Sequence, residues 1–241
     1  RNGIPLIEDT AQGFGGFLNG MPLGSMGDFG MFSFGRGKPL PIGEGGALTG
    51  KKKILDAMPA LSSAQGYSCL AKIISVQVLS HPVLYGLMEK LPLGLGKTVF
   101  DPGFTVSGMP GSVKRLAKSS ITGVETCNMH RRVIAEVYKS SLDTSRMVKE
   151  PEGSTPVYTR FPLFAGHSSI GSQLYRFGVR RMYPRAISDE PAIQSFLARP
   201  GRPTPGARQI AESLITLPTH SRITPSIAHE ISALLQEEHS C

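Results

Sequence analysis

Ile4-Pro5-Leu6-Ile7-Glu8-Asp9-Thr10-Ala11-Gln12 and, further on, Ser33-Phe34-Gly35-Arg36-Gly37-Lys38 with Gly43-Glu44-Gly45-Gly46 constrain the architecture more than any other part of the chain. Residues 4–8 read as a short buried strand ending in the acidic pair Glu8-Asp9. Phe29 to Phe34 reads as a second strand and Ala47 to Thr49 as a third, with a glycine-rich stretch from Gly13 to Gly30 between the first two. Strands this apolar predict a sheet covered on both faces, as in α/β folds. An acid at the carboxyl end of a parallel strand lies where such folds bind ligands. A lysine shortly after another strand end can reach the same crevice, so Asp9 and Lys38 are expected to share one pocket.

Outward from this region the pattern changes. Between Lys72 and Glu89 no residue carries a formal charge over the sixteen positions from Ile73 to Met88. A spanning helix needs about twenty predominantly apolar residues. This run also holds Ser75, Gln77, Ser80, His81 and Pro82. Residues 70–90 therefore predict a buried helix or helix pair broken near Pro82, with a helix lying in a membrane interface as the alternative. Gly94 to Gly111 reads as loop. Ser112 to Leu142 reads as helix in two pieces split at Gly123, with Thr126, Met129, Val133 and Val137 on one face. After Pro151 strands and helices alternate, which is an α/β layer of its own. Val157 to Phe164 is the expected strand there, then a helix over 168–177 stopped at Gly178 and a strand over 179–183. Short helices follow over 191–197 and 205–212, and a strand over 214–217. A last helix runs to about Glu238, opened by Thr224 as N-cap and Pro225 in the first turn.

Composition narrows the function classes. The 241 residues carry a net charge of +8, from 26 basic and 18 acidic side chains. Such a balance suits an anionic partner. The basic residues are dispersed, the densest groups being Lys51-Lys52-Lys53, Arg131-Arg132 and Arg180-Arg181, and no nucleic-acid motif accompanies them. No nucleic-acid partner is expected. Cys69, Cys127 and Cys241 form no CxxC pair, and the histidines show no metal-ligand spacing, so neither a disulfide framework nor a metal site is expected. Gly94-Leu95-Gly96-Lys97-Thr98 is similar to the end of a phosphate-binding loop, but Leu91 stands where that motif needs glycine. Arg1 lies three residues before the first strand-like run, which suggests an N-terminally truncated piece of a longer protein.

The motifs together resemble the DegT/DnrJ/StrS family of sugar aminotransferases. An acidic strand end, Glu8-Asp9-Thr10-Ala11-Gln12, is followed by Gly24-Ser25-Met26-Gly27-Asp28. Ser33-Phe34 then has a lysine five residues after the serine, and Gly43-Glu44-Gly45-Gly46 closes the set. Arg160-Phe161-Pro162, Gly178-Val179 with Tyr183-Pro184, and Leu214 to His220 are also similar to the family. The resemblance covers about residues 1–55 and 120–241. It implies the C-terminal part of a pyridoxal-phosphate (PLP) enzyme of fold type I, an α/β protein. Residues 1–55 would belong to the PLP-binding large domain, 56–150 to a helical insertion and connecting helix, and 151–241 to a small C-terminal α/β domain.

The resemblance also implies roles. Lys38 would carry the cofactor covalently and move protons. Asp9 would pair with the pyridine nitrogen, Ala11 would lie against a ring face, and Gln12 would bond near the ring hydroxyl or the substrate. Ser33 would donate to the cofactor phosphate, and Tyr183 would contact substrate. The implied reaction moves an amino group from an amino acid, expected to be glutamate, to a nucleotide-linked keto-sugar for cell-surface polysaccharide, in a cytoplasmic homodimer. The chain departs from the family in three ways. Gly35 stands where many relatives have histidine, the Gly-Tyr-Asn-x-Arg segment is missing, and the loop that binds the phosphate in relatives is not found. PLP binding by this chain alone is therefore expected to be poor. The rival reading is a non-catalytic paralogue or scaffold that keeps the fold and docks through residues 70–100, the candidate segment for peripheral membrane contact.

Overall fold

In the computed structural model, residues 3–59, 61–62, 71, 73–74, 106–165, 170–198 and 201–238 are described. Strands β1 (Ile7–Asp9), β4 (Phe29–Ser33) and β5 (Gly46–Gly50) form one sheet in the order β1-β4-β5. β1 runs parallel to β4, and β5 is antiparallel to it. Strands β2 (Phe17–Leu18), β3 (Met21–Pro22) and β6 (Ser154–Thr155) form a second, small sheet in the order β3-β2-β6. The chain divides into two compact units: Arg1–Glu125 with Gly153–Thr155, and Thr126–Glu152 with Pro156–Cys241.

The first unit contains both of these sheets, the short helix α1 (Lys52–Asp56) and the helix α2 (Gly111–Ser120). Its core joins Phe32 and Phe34 of the β4 region to Leu40, Ile42, Ile73, Val113, Ala117 and Val124. Phe14 meets Phe32 edge-on, with ring centres 5.1 Å apart. All of this packing lies on one side of the sheet. On the other side Ile7, Met31 and Leu48 are 63%, 40% and 46% exposed. The expectation of a sheet covered on both faces therefore fails for the described residues, and so does the expectation of a buried first strand. β1 is also shorter than expected, because Ile4 to Leu6 make no ladder and only Ile7 to Asp9 pair with β4.

The second unit packs the long helix α3 (Val124–Ser141, from Thr126 onward) and α6 (Pro225–Glu237) with the antiparallel pair β7 (Phe161–Phe164) and β8 (Leu214–Leu217). Ile134, Tyr138, Leu163, Leu174, Ile215, Leu217, Ile231 and Leu235 form its centre. The 3-10 turn over 121–123 divides α2 from α3, at the expected break. The face of α3 does not follow expectation. Met129 and Val133 are 57% and 55% exposed, whereas Asn128, Arg131, Ala135, Tyr138 and Leu142 are buried. The buried stripe keeps helical spacing, but two of its members are polar and satisfied in pairs. Arg131 Nη1 donates to Asn128 Oδ1 at 2.7 Å, so a search for apolar periodicity selects the wrong side.

Helices α4 (Ser172–Arg176) and α5 (Pro205–Ser213) complete the unit, and residues 191–196 form a 3-10 helix. Thr224 caps α6, its side chain accepting from Ile227 N, and Pro225 follows in the first turn, both as expected. The strand expected from Val157 begins only at Phe161, because Tyr158 takes a left-handed φ of 45°. The strand expected over 179–183 reduces to a single bridge between Arg180 and Thr216, two residues after Gly178 turns the chain with φ 90°. Most of residues 56–105, including all but positions 71, 73 and 74 of the expected helix over 70–90, lies outside the described residues. Among the described residues no helix is long and apolar enough to cross a membrane.

One side chain closes this unit. Arg160 Nε donates to Thr216 Oγ1 at 2.6 Å, and its Nη2 donates to the carbonyls of Gly178 and Thr216. Burial, with Arg180 nearby, pulls its guanidinium down to about 10. Tyr138, buried and donating to Pro218 O at 2.9 Å, is pushed up from the ordinary phenol range by burial. Tyr158 is pushed up to about 12, by burial and by its bond to Glu150.

Replacing Arg160 by leucine removes the donor to Gly178 O and Thr216 Oγ1, while Thr216 O keeps Arg180 N, and should cost about 1–3 kcal/mol in urea unfolding followed by near-ultraviolet dichroism. A raised tyrosine contributes stability that is complete below its unfolded pKa of about 10 and is lost as pH rises through the folded value. Between the unfolded value and the value of about 12 for Tyr158, the urea midpoint of the second unit should fall further in wild type than in Tyr158→Phe, the comparison cancelling the opposite contribution of Arg160 over the same window. Identical midpoint profiles for the two proteins would contradict the assignment.

Candidate functional site

The site is built at the carboxyl ends of the parallel pair β1 and β4. Asp9 ends β1 and stands opposite Met31 in β4. Side chains alternate along a strand, so Met31 and Ser33 share the face of Asp9, and Ser33 lies about 7 Å further along its strand. The chain beyond Asp9 is held in place. Thr10 donates to Met31 O through both its backbone N–H, at 2.9 Å, and its hydroxyl, at 2.7 Å. Ala11 N then donates to Asp9 Oδ1 at 3.0 Å, an Asx-type turn that leaves the carboxylate on the exposed side.

After Ser33 the chain turns sharply to Lys38. Gly35 N donates to Ser33 Oγ at 3.3 Å, Lys38 N donates to Gly35 O at 3.4 Å, and Gly37 adopts φ 71°. Lys38 is half-buried. Among the described residues a side chain on Gly35 would meet only Ser33 Oγ at 3.4 Å and Lys38 Cγ at 4.0 Å, so Ser33 and Lys38 flank a gap there. The glycine turn that follows is structural. Phe34 N donates to Gly45 O and Gly43 N to Phe34 O, and Gly45 needs φ 90°. A Cβ on Gly46 would lie 2.4 Å from Phe32 O.

Asp9, Ala11, Ser33 and Lys38 thus lie at one end of one sheet. Gln12 is exposed in the turn after Asp9, and Tyr183 is exposed in the second unit. Among the described residues no group of His, Cys, Asp and Glu side chains could hold a metal ion.

Sequence reasoning missed the residue that organises this end of the sheet, Glu8. Its side chain points to the opposite face from Asp9. Its carboxylate accepts the backbone N–H groups of Gly24 at 2.8 Å, of Met26 at 2.5 Å and of Gly27. Partial burial raises this carboxyl, but the three donors at Gly27, Gly24 and Met26 together outweigh it and hold it below the usual glutamate range. Glu8, Gly30 and Thr49 stand side by side across the three strands. Gly30 has no side chain, so the backbone of Gly24 lies directly over it, and Thr49 Oγ1 donates to Gly24 O at 2.8 Å. A lone glycine inside a strand was the signal for such a close backbone approach.

Comparison with known proteins bears on the fold and on the first third of the chain. Residues 1–82 match the model of the DegT/DnrJ/EryC1/StrS aminotransferase family. A curated relative, the L-glutamine:2-deoxy-scyllo-inosose aminotransferase of Streptoalloteichus tenebrarius, is 53% identical over 47 residues, which is 20% of this chain and 11% of that protein. The crystal structure of a DegT DnrJ EryC1 StrS aminotransferase from Brucella abortus superposes with a TM-score of 0.68 at 19% identity, over 100% of this chain and 59% of that one. DesI, solved in the presence of its TDP-sugar product, gives 0.63 at 18% identity, over 98% of this chain and 55% of that one. At such identities the structures establish the fold, and this chain spans under two thirds of their length. The chain has the α/β fold of these aminotransferases, and its first third is similar in sequence to the DegT/DnrJ/EryC1/StrS aminotransferase family.

A Cβ at position 30 would lie 2.3 Å from Gly24 O and 2.6 Å from Gly24 Cα, both backbone atoms that cannot swing aside. Gly30→Ala should therefore destabilise the first unit by at least ~1–3 kcal/mol, read as a drop in its thermal unfolding temperature. Gly20→Ala is the comparison, because a Cβ there meets nothing within 4 Å. It pays only for its left-handed φ of 74°.

Proposed function

We propose that residues 1–55 form the cofactor-binding part of a PLP-dependent aminotransferase, with Lys38 carrying PLP and Asp9 holding the pyridine nitrogen. One observation supports this above others: Asp9 and Ser33 share one open sheet face, and Lys38 follows in the turn beyond Ser33. The residues fit a planar, anionic heterocycle. Asp9 Oδ1 is engaged by Ala11 N while the carboxylate faces the exposed side, and Gly35 leaves room between Ser33 and Lys38. PLP, when bound, serves as the electron sink, and the protein supplies binding, orientation and charge.

Each residue has a physical task in this reading. The Asp9 carboxylate keeps a ring nitrogen protonated, because an adjacent negative charge favours the cation. Ala11 is small enough to let a ring lie flat beside it. Ser33 offers a hydroxyl to a phosphate, and Gln12 offers an amide to the ring hydroxyl or the substrate. Lys38 would hold the cofactor and supply the amine that moves protons beside it. Tyr183 is assigned a substrate contact.

The proposed acceptor is a keto-sugar on a nucleotide carrier and the proposed donor glutamate, in a cytoplasmic homodimer serving cell-surface polysaccharide synthesis. The net charge of +8 suits a diphosphate-linked substrate, and DesI was solved with a TDP-sugar. A second substrate reading has its own support. The curated relative's name specifies glutamine as donor and an inosose, a cyclic polyol ketone, as acceptor.

The test is amino transfer by the full-length gene product, with glutamate and glutamine offered separately to a nucleotide-linked keto-sugar and to an inosose. Lys38→Ala should lower turnover by on the order of 10²–10⁴-fold and abolish the visible absorbance of bound PLP. Turnover undiminished in Lys38→Ala would end this reading, and transfer only from glutamine to inosose would establish the second substrate pair.

A further inference from the structure

We infer that Glu8 is a positioning residue for Asp9, acting from the opposite face of the sheet by clamping the Gly24–Gly27 loop beneath β1. This rests on the reading of Asp9 as the partner of the pyridine nitrogen.

β1 is only three residues long and, among the described residues, pairs with β4. So short a strand has few ladder bonds of its own to fix the carboxylate at its end. Glu8, the central residue of β1, adds three charge-assisted bonds, from Gly24, Met26 and Gly27. The loop that donates them is itself anchored. Thr49 Oγ1 donates to Gly24 O at 2.8 Å, and Gly24 rests over the bare backbone of Gly30. At its far end Asp28 accepts Leu6 N at 2.9 Å, just before β1, and Asp28 also lies 3.7 Å from Lys51 Nζ. Residues 6–8 are thereby tied to β4 and β5 through the loop as well as through the ladder. Asp9 and the Asx turn at Ala11 begin one residue later. A carboxylate is required at position 8 for a chemical reason. Its two oxygens serve three N–H donors, whereas an amide would turn an NH₂ group toward one of them.

The experiment is amide hydrogen exchange on the full 241-residue chain without PLP, comparing wild type with Glu8→Gln. Exchange should accelerate about 10–100-fold at Gly24, Met26 and Gly27, the range expected when a charged acceptor is lost. It should accelerate about tenfold or more at Thr10 and Ala11, whose N–H groups bond Met31 O and Asp9 Oδ1. Phe34 and Gly43, bonded in the glycine turn away from Glu8, should keep their wild-type rates. Accelerated loop amides with unchanged Thr10 and Ala11 would overturn the inference, because Glu8 would then hold the loop alone. Uniform acceleration that includes Phe34 and Gly43 would overturn it too, as general loosening. Should Glu8→Gln fail to fold, Glu8→Asp keeps the charge with a shorter reach and is read by the same ratios. No PLP is present, so failure here is distinct from failure of the Lys38→Ala assay.

Discussion

The peptide at Gly24 is gripped at both ends: Glu8 takes its N–H and Thr49 donates to its C=O, with Gly30 leaving the space beneath it. The first unit depends on this grip. It brings a loop onto three adjacent strands at the one row where the middle strand lacks a side chain. It also explains why the acidic pair at the end of β1 has two members with different work. Glu8 points into the loop, and Asp9 points to the open face where Ser33 also lies. Alternation along a strand makes this division unavoidable, since neighbouring residues cannot serve the same face.

The second unit is held by a different device, polar groups satisfied inside an apolar core. Arg160 bridges the Gly178 carbonyl to Thr216, Tyr138 reaches Pro218 O, and Arg131 pairs with Asn128 within α3. Each bond joins segments distant in sequence or fills a position that an apolar residue would otherwise take. Such groups are costly when unmatched, so they specify one arrangement of strands and helices. They also leave marks in protonation. The buried phenols of Tyr138 and Tyr158 are both pushed upward.

Much of this was legible from local chemistry. The Asp9 strand end, the β4 and β5 strands, the division of α2 from α3 near Gly123, and the Thr224-Pro225 start of α6 all depend on residues within a few positions of one another. The Gly43 to Gly46 turn was legible for the same reason, since only glycine accepts φ values of 109° and 90° there without strain. The failures have specific causes. The buried face of α3 was hidden by Asn128 and Arg131, which are polar by type yet paired in place. The strand expected at Val157 was shortened by the left-handed backbone of Tyr158, which residue type does not announce. The strand expected at 179–183 had apolar residues but only one bonded position opposite β8.

By itself the amino-acid sequence determined the family resemblance of the first third, the α/β class and the order of Asp9, Ser33 and Lys38 along the chain, because short motifs and turn chemistry are properties of neighbours. Tertiary structure alone decided which face of the sheet is open, which face of α3 is buried, and that Glu8 holds the Gly24–Gly27 loop. The physical reason is that burial and many hydrogen-bond partners are set by residues distant in sequence, as Glu8 and Gly24 are sixteen positions apart.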